Sequence, residues 1–526
     1  MNARTPVFRQ LVHAMRSTGE IQPSEGKAVR GWSRREFAKS LTLAGAGVLS
    51  GCAGLGGGAG AGRPGVKAPK GAVAIVGGGV AGLTAAWRLH QRGVEVHLYE
   101  ATARMGGRMW TKKNFNEDGM FCELGGELVD TGHKALIHLA KELGVGIQHL
   151  KTGAEAGSDY YVLNGRIRTD ADLIPAFAPL AKRIAADAEG LYDKKGEFTA
   201  KARALDQVPL DRYLNEAGWA TGTEPWLIKI LDIAYVTEYG LDTRLQSALN
   251  FVDFISPDTS EGLKLYGDSD EAWRVQGGSG ALPDALAKRL EGHAALHAGH
   301  RLNRIEDDGR EITLSFDHGR ETKRVSYGRV ILTLPFSVLR HISGVDRLAL
   351  SAPKRKAIQE LGFGENAKVM LSFREKFWHK LTPANQGGAF SDGLWQTWNA
   401  SAGQRGSSGI LTCYIGGAAA RKFSSGSAPG YLKQISEVFP EARTAYDGHM
   451  ASMDWTHFTF AKGSFSAPLV GQYCGMIGDG ATPELGGRLH FAGEHTSEES
   501  PGFMDGGVDS GERAARELLA VAEAAA

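Results

Sequence analysis

Residues 72–111 read AVAIVGGGVAGLTAAWRLHQRGVEVHLYEATARMGGRMWT, and the order of residue types in this stretch decides the fold. Val73–Val76 is an apolar run of strand character, broken by Gly77, Gly79 and Gly82 before Leu83–Gln91, which has helical composition and closes at Gly93. A strand, a glycine turn and a helix in that order aim backbone N–H groups and a helix N-terminus at a pyrophosphate. Gly77 makes the turn, Gly79 admits the phosphate and Gly82 lets the helix pack close. A second strand, Val94–Tyr99, then delivers Glu100, where an acid binds ribose hydroxyls. An acid there favours an unphosphorylated ribose, as in NAD or FAD, over NADP.

The next residues choose between those two. Arg104-Met105-Gly106-Gly107-Arg108-Met109-Trp110-Thr111 is an RxGGRxxT extension placed directly after the ribose acid. It resembles the flavin amine oxidase family, which includes monoamine, polyamine and L-amino acid oxidases. The resemblance implies FAD, with Arg108 against its pyrophosphate, and brings Ala81, Ala101 and Gly107 into the cofactor site beside the glycines and Glu100. It also implies an α/β fold in which a discontinuous Rossmann-like FAD-binding domain carries a substrate domain of mixed sheet plus helices. Residues 71–150, 272–342 and 460–522 are expected in the first and 151–271 and 343–459 in the second.

With 526 residues, 42% of them hydrophobic, the chain is long enough for two domains with cores. Sixty basic and 59 acidic residues leave a net charge of +1, and the absence of a long basic run argues against nucleic acid as a partner. Ser33-Arg34-Arg35-Glu36-Phe37-Ala38-Lys39 before the short apolar run Leu41–Leu49 resembles a twin-arginine export signal, and that run is too short to span a bilayer. Residues 1–65 are accordingly read as signal and flexible leader, the export machinery as a partner, and the periplasm or cell envelope as the destination. Leu49-Ser50-Gly51-Cys52 also resembles a lipobox; lipidation of Cys52 and simple cleavage nearby both remain open. Cys122, Cys413 and Cys474 have neither disulfide nor metal spacing and read as buried thiols.

Further along, the family's segments recur in order. In Phe121-Cys122-Glu123-Leu124-Gly125-Gly126-Glu127-Leu128 the resemblance places Gly125, Gly126, Glu127 and Leu128 beside the isoalloxazine and ribityl chain. Lys134–Leu143 reads as a helix ending at Gly144. Leu173, Phe177, Leu180, Ile184 and Leu191, and the apolar positions of Trp226–Tyr239, recur at helical spacing, which predicts a helical insertion whose aromatics are core. Gln276–Pro283 leads into a helix with Leu282, Leu286 and Leu290 on one face, Arg301–Ile305 reads as an edge strand, and Val330–Leu334 as a buried one. By resemblance, the backbone of Leu302 contacts the adenine. In Leu361–Phe373, alternation puts Val369, Leu371 and Phe373 on one face and Lys368, Met370 and Ser372 on the other. Lys368 matches the family lysine that holds a water against the reactive flavin nitrogen. Trp395, Trp398 and Tyr414 fall on strands, and Trp398 is taken as lining the pocket. In Ala461–Ser466, Ser464 stands where mitochondrial monoamine oxidases carry the cysteine bonded to flavin, which implies non-covalent FAD. Phe465 and Phe503 match the two aromatic walls of the substrate slot. His490–Thr496 carries the FAGE signature with Gly493 and Glu494 at the cofactor, and Pro501–Val508 opens a last helix at Met504, whose N-terminal dipole favours negative charge on the flavin's pyrimidine edge.

These expectations describe an oxidase that takes an amine to an imine, with dioxygen reduced to hydrogen peroxide. No metal is called for. Amino acid oxidases of the snake-venom and tryptophan monooxygenase kind place an arginine at the end of the LGG segment to grip the substrate carboxylate, where this chain has Leu128. An unpaired carboxylate in an apolar slot costs several kcal/mol, on the order of a thousandfold in affinity. That favours an amine, although Arg244 offers another route to a carboxylate and an L-amino acid oxidase remains the alternative. An FAD-bearing surface protein without turnover is a third reading. Oligomeric state is open, a homodimer included.

Overall fold

The structure is a computed structural model that describes residues 71–150, 159–260, 262–381, 385–393 and 395–524. The twin-arginine and lipobox segments lie outside them. Five parallel strands form the sheet to which the opening stretch belongs, in the spatial order Ala295–His297, Val96–Tyr99, Val73–Val76, Arg329–Leu332, Leu489–Phe491. Val73–Val76 is central, so all four of its residues are buried, and their alternation sorts them between two cores. Val73 and Ile75 pack with the helices Val80–His90, Lys134–Leu143, Ala281–Leu290 and Met504–Ala524. Ala74 and Val76 pack with a three-stranded antiparallel sheet, Arg301–Asp307, Ile312–His318 and Glu321–Tyr327. The strand holding Leu302 is therefore an edge of this second sheet and not of the parallel one.

The helix Lys134–Leu143 ends where a glycine permits it: Gly144 has φ 73° and its N–H caps Ala140 and Lys141 carbonyls. Leu282, Leu286 and Leu290 are all fully buried on one face of their helix.

A seven-stranded sheet forms the other half, ordered Tyr446–Asp454, Asn366–Phe373, Gly409–Gly416, Trp395–Asn399, Ala389–Ser391, Tyr160–Leu163, Arg166–Arg168. Pairing is antiparallel except between Ala389–Ser391 and Tyr160–Leu163. All eight residues of Asn366–Phe373 are buried because both faces are covered. Val369, Leu371 and Phe373 join one cluster with Phe377 and Trp378, whereas Met370 joins Phe115, Met120 and Ile410 on the opposite side. Helices Asp170–Ala188, Leu210–Thr221 and Pro225–Tyr239 supply a separate core. Phe177 and Tyr235 belong to that core as the spacing predicts, while Tyr239 and Tyr266 also reach a cavity between the halves.

Candidate active site

The glycine turn opens onto a cavity of about 420 Å³ that runs from Gly77 to the seven-stranded sheet. Two glycines make the turn end possible. A Cβ on Gly82 would lie 2.0 Å from the Gly77 carbonyl oxygen, so the helix sits as close to the turn as a backbone allows. Gly107 has φ 56° and faces Gly79, with only 3.1 Å between a Cβ there and the Gly79 Cα. A side chain at Gly82 would push the helix off the turn, and one at Gly107 would enter the cavity beside the backbone N–H groups and helix N-terminus that a pyrophosphate needs. Glu100 is braced for the ribose: Oε2 accepts from Gly78 N at 2.8 Å and Oε1 from Thr102 N and Oγ1 at 2.8 and 2.9 Å. Oε1 is filled by its two donors, and Oε2 retains a second acceptor position.

The two arginines of the RxGGR segment have different tasks. Arg104 folds back on its own loop, donating to the carbonyls of Met105, Gly107 and Met109 while lying 4.3 Å over the Trp110 ring. Arg108 reaches across the cavity, donating from Nη1 to Glu494 Oε1 at 2.8 Å and to the Ser464 carbonyl at 2.9 Å. Glu494 is buried and also accepts from Ser466 N, Ser466 Oγ and Gly502 N. Burial pushes its pKa up, but Arg108, His495 and these hydrogen bonds outweigh that and hold it below the usual carboxylate range. The FAGE carboxylate thus ties the arginine segment to both aromatic-wall segments. The residues present fit FAD: a glycine cradle, a braced ribose acid, a cationic side chain midway and a helix starting at Met504 at the far end.

Of the expected site residues, Gly77, Gly79, Ala81, Glu100, Gly107, Arg108, Gly125, Gly126, Glu127 and Leu128 line the cavity, as do Lys368, Trp398, Phe465, Gly493, Glu494, Phe503 and Met504. Gly82, Ala101 and Leu302 do not. Gly82 acts through packing, and the Leu302 side chain is buried under the antiparallel sheet. Tyr414 lines the cavity together with Trp398, the two rings meeting edge-on at 5.4 Å. Ser464 donates its hydroxyl to Asn366 Oδ1 at 2.5 Å, and no described cysteine borders the cavity.

Lys368 is 3% exposed, unlike an ordinary strand-end lysine. Its Nζ donates to Gly125 O at 3.1 Å and to Glu127 Oε2 at 3.0 Å, and lies 5.1 Å from the Trp398 ring centre. Burial alone would raise the pKa of Glu127, yet Lys368 and then Arg274 overcome it and keep the carboxylate ionised.

Several lining residues went unnoticed in the sequence. Glu238 at the end of the helix Pro225–Tyr239, and Glu271, in a left-handed turn with φ 46°, bring two carboxylates to the cavity wall together with Tyr239, Tyr266 and Gln396. Burial, and then both carboxylates, push the hydroxyls of Tyr266 and Tyr414 well above their ordinary range, so both rings stay neutral. Asp130 holds the Glu271 turn by accepting from Ser269 Oγ at 2.8 Å and Glu271 N at 2.9 Å. Its neighbour His133 packs 4.9 Å from the ring of Phe503. Arg244 does not border the cavity and pairs with Asp242 at 3.4 Å, which removes it as a carboxylate ligand.

A family model described as flavin containing amine oxidoreductase matches residues 80–519. A flavin-dependent L-tryptophan oxidase, RebO, of Lentzea aerocolonigenes is 28% identical, covering 85% of this chain and 98% of its own length. Flavin-containing amine oxidase A of Sus scrofa is 24% identical, over 85% of this chain and 84% of the other. Among solved structures, cyclohexylamine oxidase from Brevibacterium oxydans IH-35A superposes with a TM-score of 0.69 at 22% identity, covering 85% of this chain and 98% of the other. Putrescine oxidase bound to putrescine does so with a TM-score of 0.68 at 20% identity, over 85% and 99%.

Proposed function

The chain belongs to the flavin-containing amine oxidoreductases, FAD-dependent enzymes acting on amines, and from that premise we propose that it oxidises a primary or secondary amine to an imine, with dioxygen reduced to hydrogen peroxide. One observation carries the choice of an amine: the substrate side of the cavity presents Glu238 and Glu271, while the lining arginines, Arg104 and Arg108, are engaged in the turn and with Glu494. A substrate carboxylate entering there would meet like charge with no bidentate partner. An ammonium group is drawn in by the same carboxylates and by the surrounding aromatic faces.

Bound FAD supplies the hydride acceptor and its reoxidation by dioxygen; the protein supplies placement. Phe465 and Phe503 confine the amine so that its C–H bond points along the slot, and such positioning is a large part of the rate. Lys368, with two N–H groups engaged, presents the remaining one to a water at the cavity end. The imine hydrolyses in water after release. Ser464 in the position of the covalent cysteine supports non-covalent FAD. We also propose delivery to the periplasm or cell envelope by the twin-arginine route, on the strength of residues 33–39.

Similarity to the L-tryptophan oxidase favours a second reading, an L-amino acid oxidase. Ammonia and peroxide release across a panel of amines and L-amino acids separates the two. Turnover of amines with amino acids inert is the expected result; the reverse pattern defeats the amine reading.

A further inference from the structure

Beneath the cavity, Arg274, Glu127 and Lys368 form a row of three ionised side chains that are 2%, 3% and 4% exposed. Charges this deep must each be paired. Glu127 pairs both cations, accepting from Arg274 Nη2 on Oε1 at 2.5 Å and from Lys368 Nζ on Oε2 at 3.0 Å. The backbone delivers the guanidinium to that place: in the antiparallel pair Leu128–Val129 with Trp273–Val275, Arg274 stands opposite Leu128, next in chain to Glu127. Nη1 then donates to the carbonyls of Ala400 and Ala402 at 2.9 and 3.0 Å, which anchors the guanidinium to the end of a substrate-sheet strand. Moving Arg274 away from Glu127 would break both bonds.

The lysine is left with one direction. Of its three N–H bonds, Gly125 O takes one and Glu127 another, and the third has no acceptor among the described residues. Because Gly125, Glu127, Lys368 and the Trp398 ring beside it all line the cavity, that third N–H is available to a group held there.

We infer that Arg274 is a positioning residue for the reaction: through Glu127 it holds the Lys368 side chain in place and gives the Arg274–Glu127–Lys368 row one net positive charge beside the FAD site. The inference rests on FAD occupying the cavity and is independent of which amine is oxidised. A fixed positive charge beside the ring favours the reduced, more negative flavin.

Charge and hydrogen bonding at position 274 can be varied separately. Arg274→Lys keeps the charge and loses the fork that reaches Ala400 and Ala402, whereas Arg274→Gln keeps a hydrogen-bonding amide and loses the charge. The readout is the reduction potential of the FAD-loaded protein by dye equilibration, with amine and oxygen absent. R274Q should lower it, moving the reduced-to-oxidised ratio at a fixed dye potential roughly tenfold, while R274K stays near wild type. Lys368→Met removes the other positive end and should lower it likewise, which keeps the test available if R274Q does not retain flavin. A wild-type or raised potential in R274Q or K368M, or an equal fall in R274K and R274Q, overturns the inference. A protein that shows the predicted ordering yet oxidises no amine would defeat the proposed function and leave this inference standing.

Discussion

Lys354 is a lysine with no exposed surface, lodged in the core behind the parallel sheet, where its Nζ donates to the Gly480 carbonyl and lies 3.9 Å from the centre of the Phe491 ring. Burial is the main cause that lowers its pKa from 10.5 to about 7, with Glu484 opposing and Arg513 assisting. Unfolded chain therefore binds a proton between these values that the folded protein does not, so stability rises with pH from about 7 toward 10.5 and carries the full penalty below 7. A shift of that size corresponds to about 5 kcal/mol. Lys354→Met keeps the aliphatic stem and removes the charge, but leaves the Gly480 carbonyl without its donor, at a cost of about 2 kcal/mol. The net expectation is a stabilisation of about 3 kcal/mol at pH 6 that shrinks as pH rises, crosses zero near pH 9 and becomes a destabilisation of about 0.6 kcal/mol at pH 9.5. Paired urea-unfolding curves of wild type and K354M across that range measure it, since every other titrating group is common to both. A difference that stays flat with pH, or a destabilised variant at pH 6, would refute the reasoning.

Other substitutions probe the cavity. Glu494→Gln leaves Arg108 without its carboxylate inside the site, a loss of about 3–5 kcal/mol, and should lower the flavin-to-protein absorbance ratio of purified protein; unchanged loading would contradict the bracing role. Gly82→Ala places a Cβ 2.0 Å from backbone oxygen that cannot yield, and is expected to abolish soluble, yellow protein, which expression trials read directly. Glu238→Gln should raise KM for a cationic amine roughly tenfold while kcat changes little, because the carboxylate attracts the substrate without touching the reacting bond. Changing both Arg34 and Arg35 to Lys should strand the protein in the cytoplasm, which fractionation reports.

The nucleotide end was legible in the sequence because it is local. Strand, turn, helix and ribose acid follow one another within residues 72–111, and the backbone geometry that glycines demand is written in their spacing. The two helix-forming stretches with clean periodicity, Lys134–Leu143 and Pro225–Tyr239, were legible for the same reason. Residues whose role depends on distant partners were not. Arg274 lies in a three-residue strand, and only its pairing with Leu128–Val129 puts it at Glu127; an arginine between Trp273 and Val275 was the available signal. Glu238 reads as the polar side of a helix, and Glu271 as a loop acid, until the turn held by Asp130 brings them to one wall. The strand Arg301–Asp307 was recognisable as an edge, but nothing local told which sheet it borders.

The most direct test of the account is anaerobic addition of amines to the purified protein, followed at the flavin band. Bleaching by an amine, restoration of the band on admitting oxygen, and release of free FAD on denaturation are the predicted result. A protein that carries no FAD, or whose FAD no amine bleaches, would contradict it.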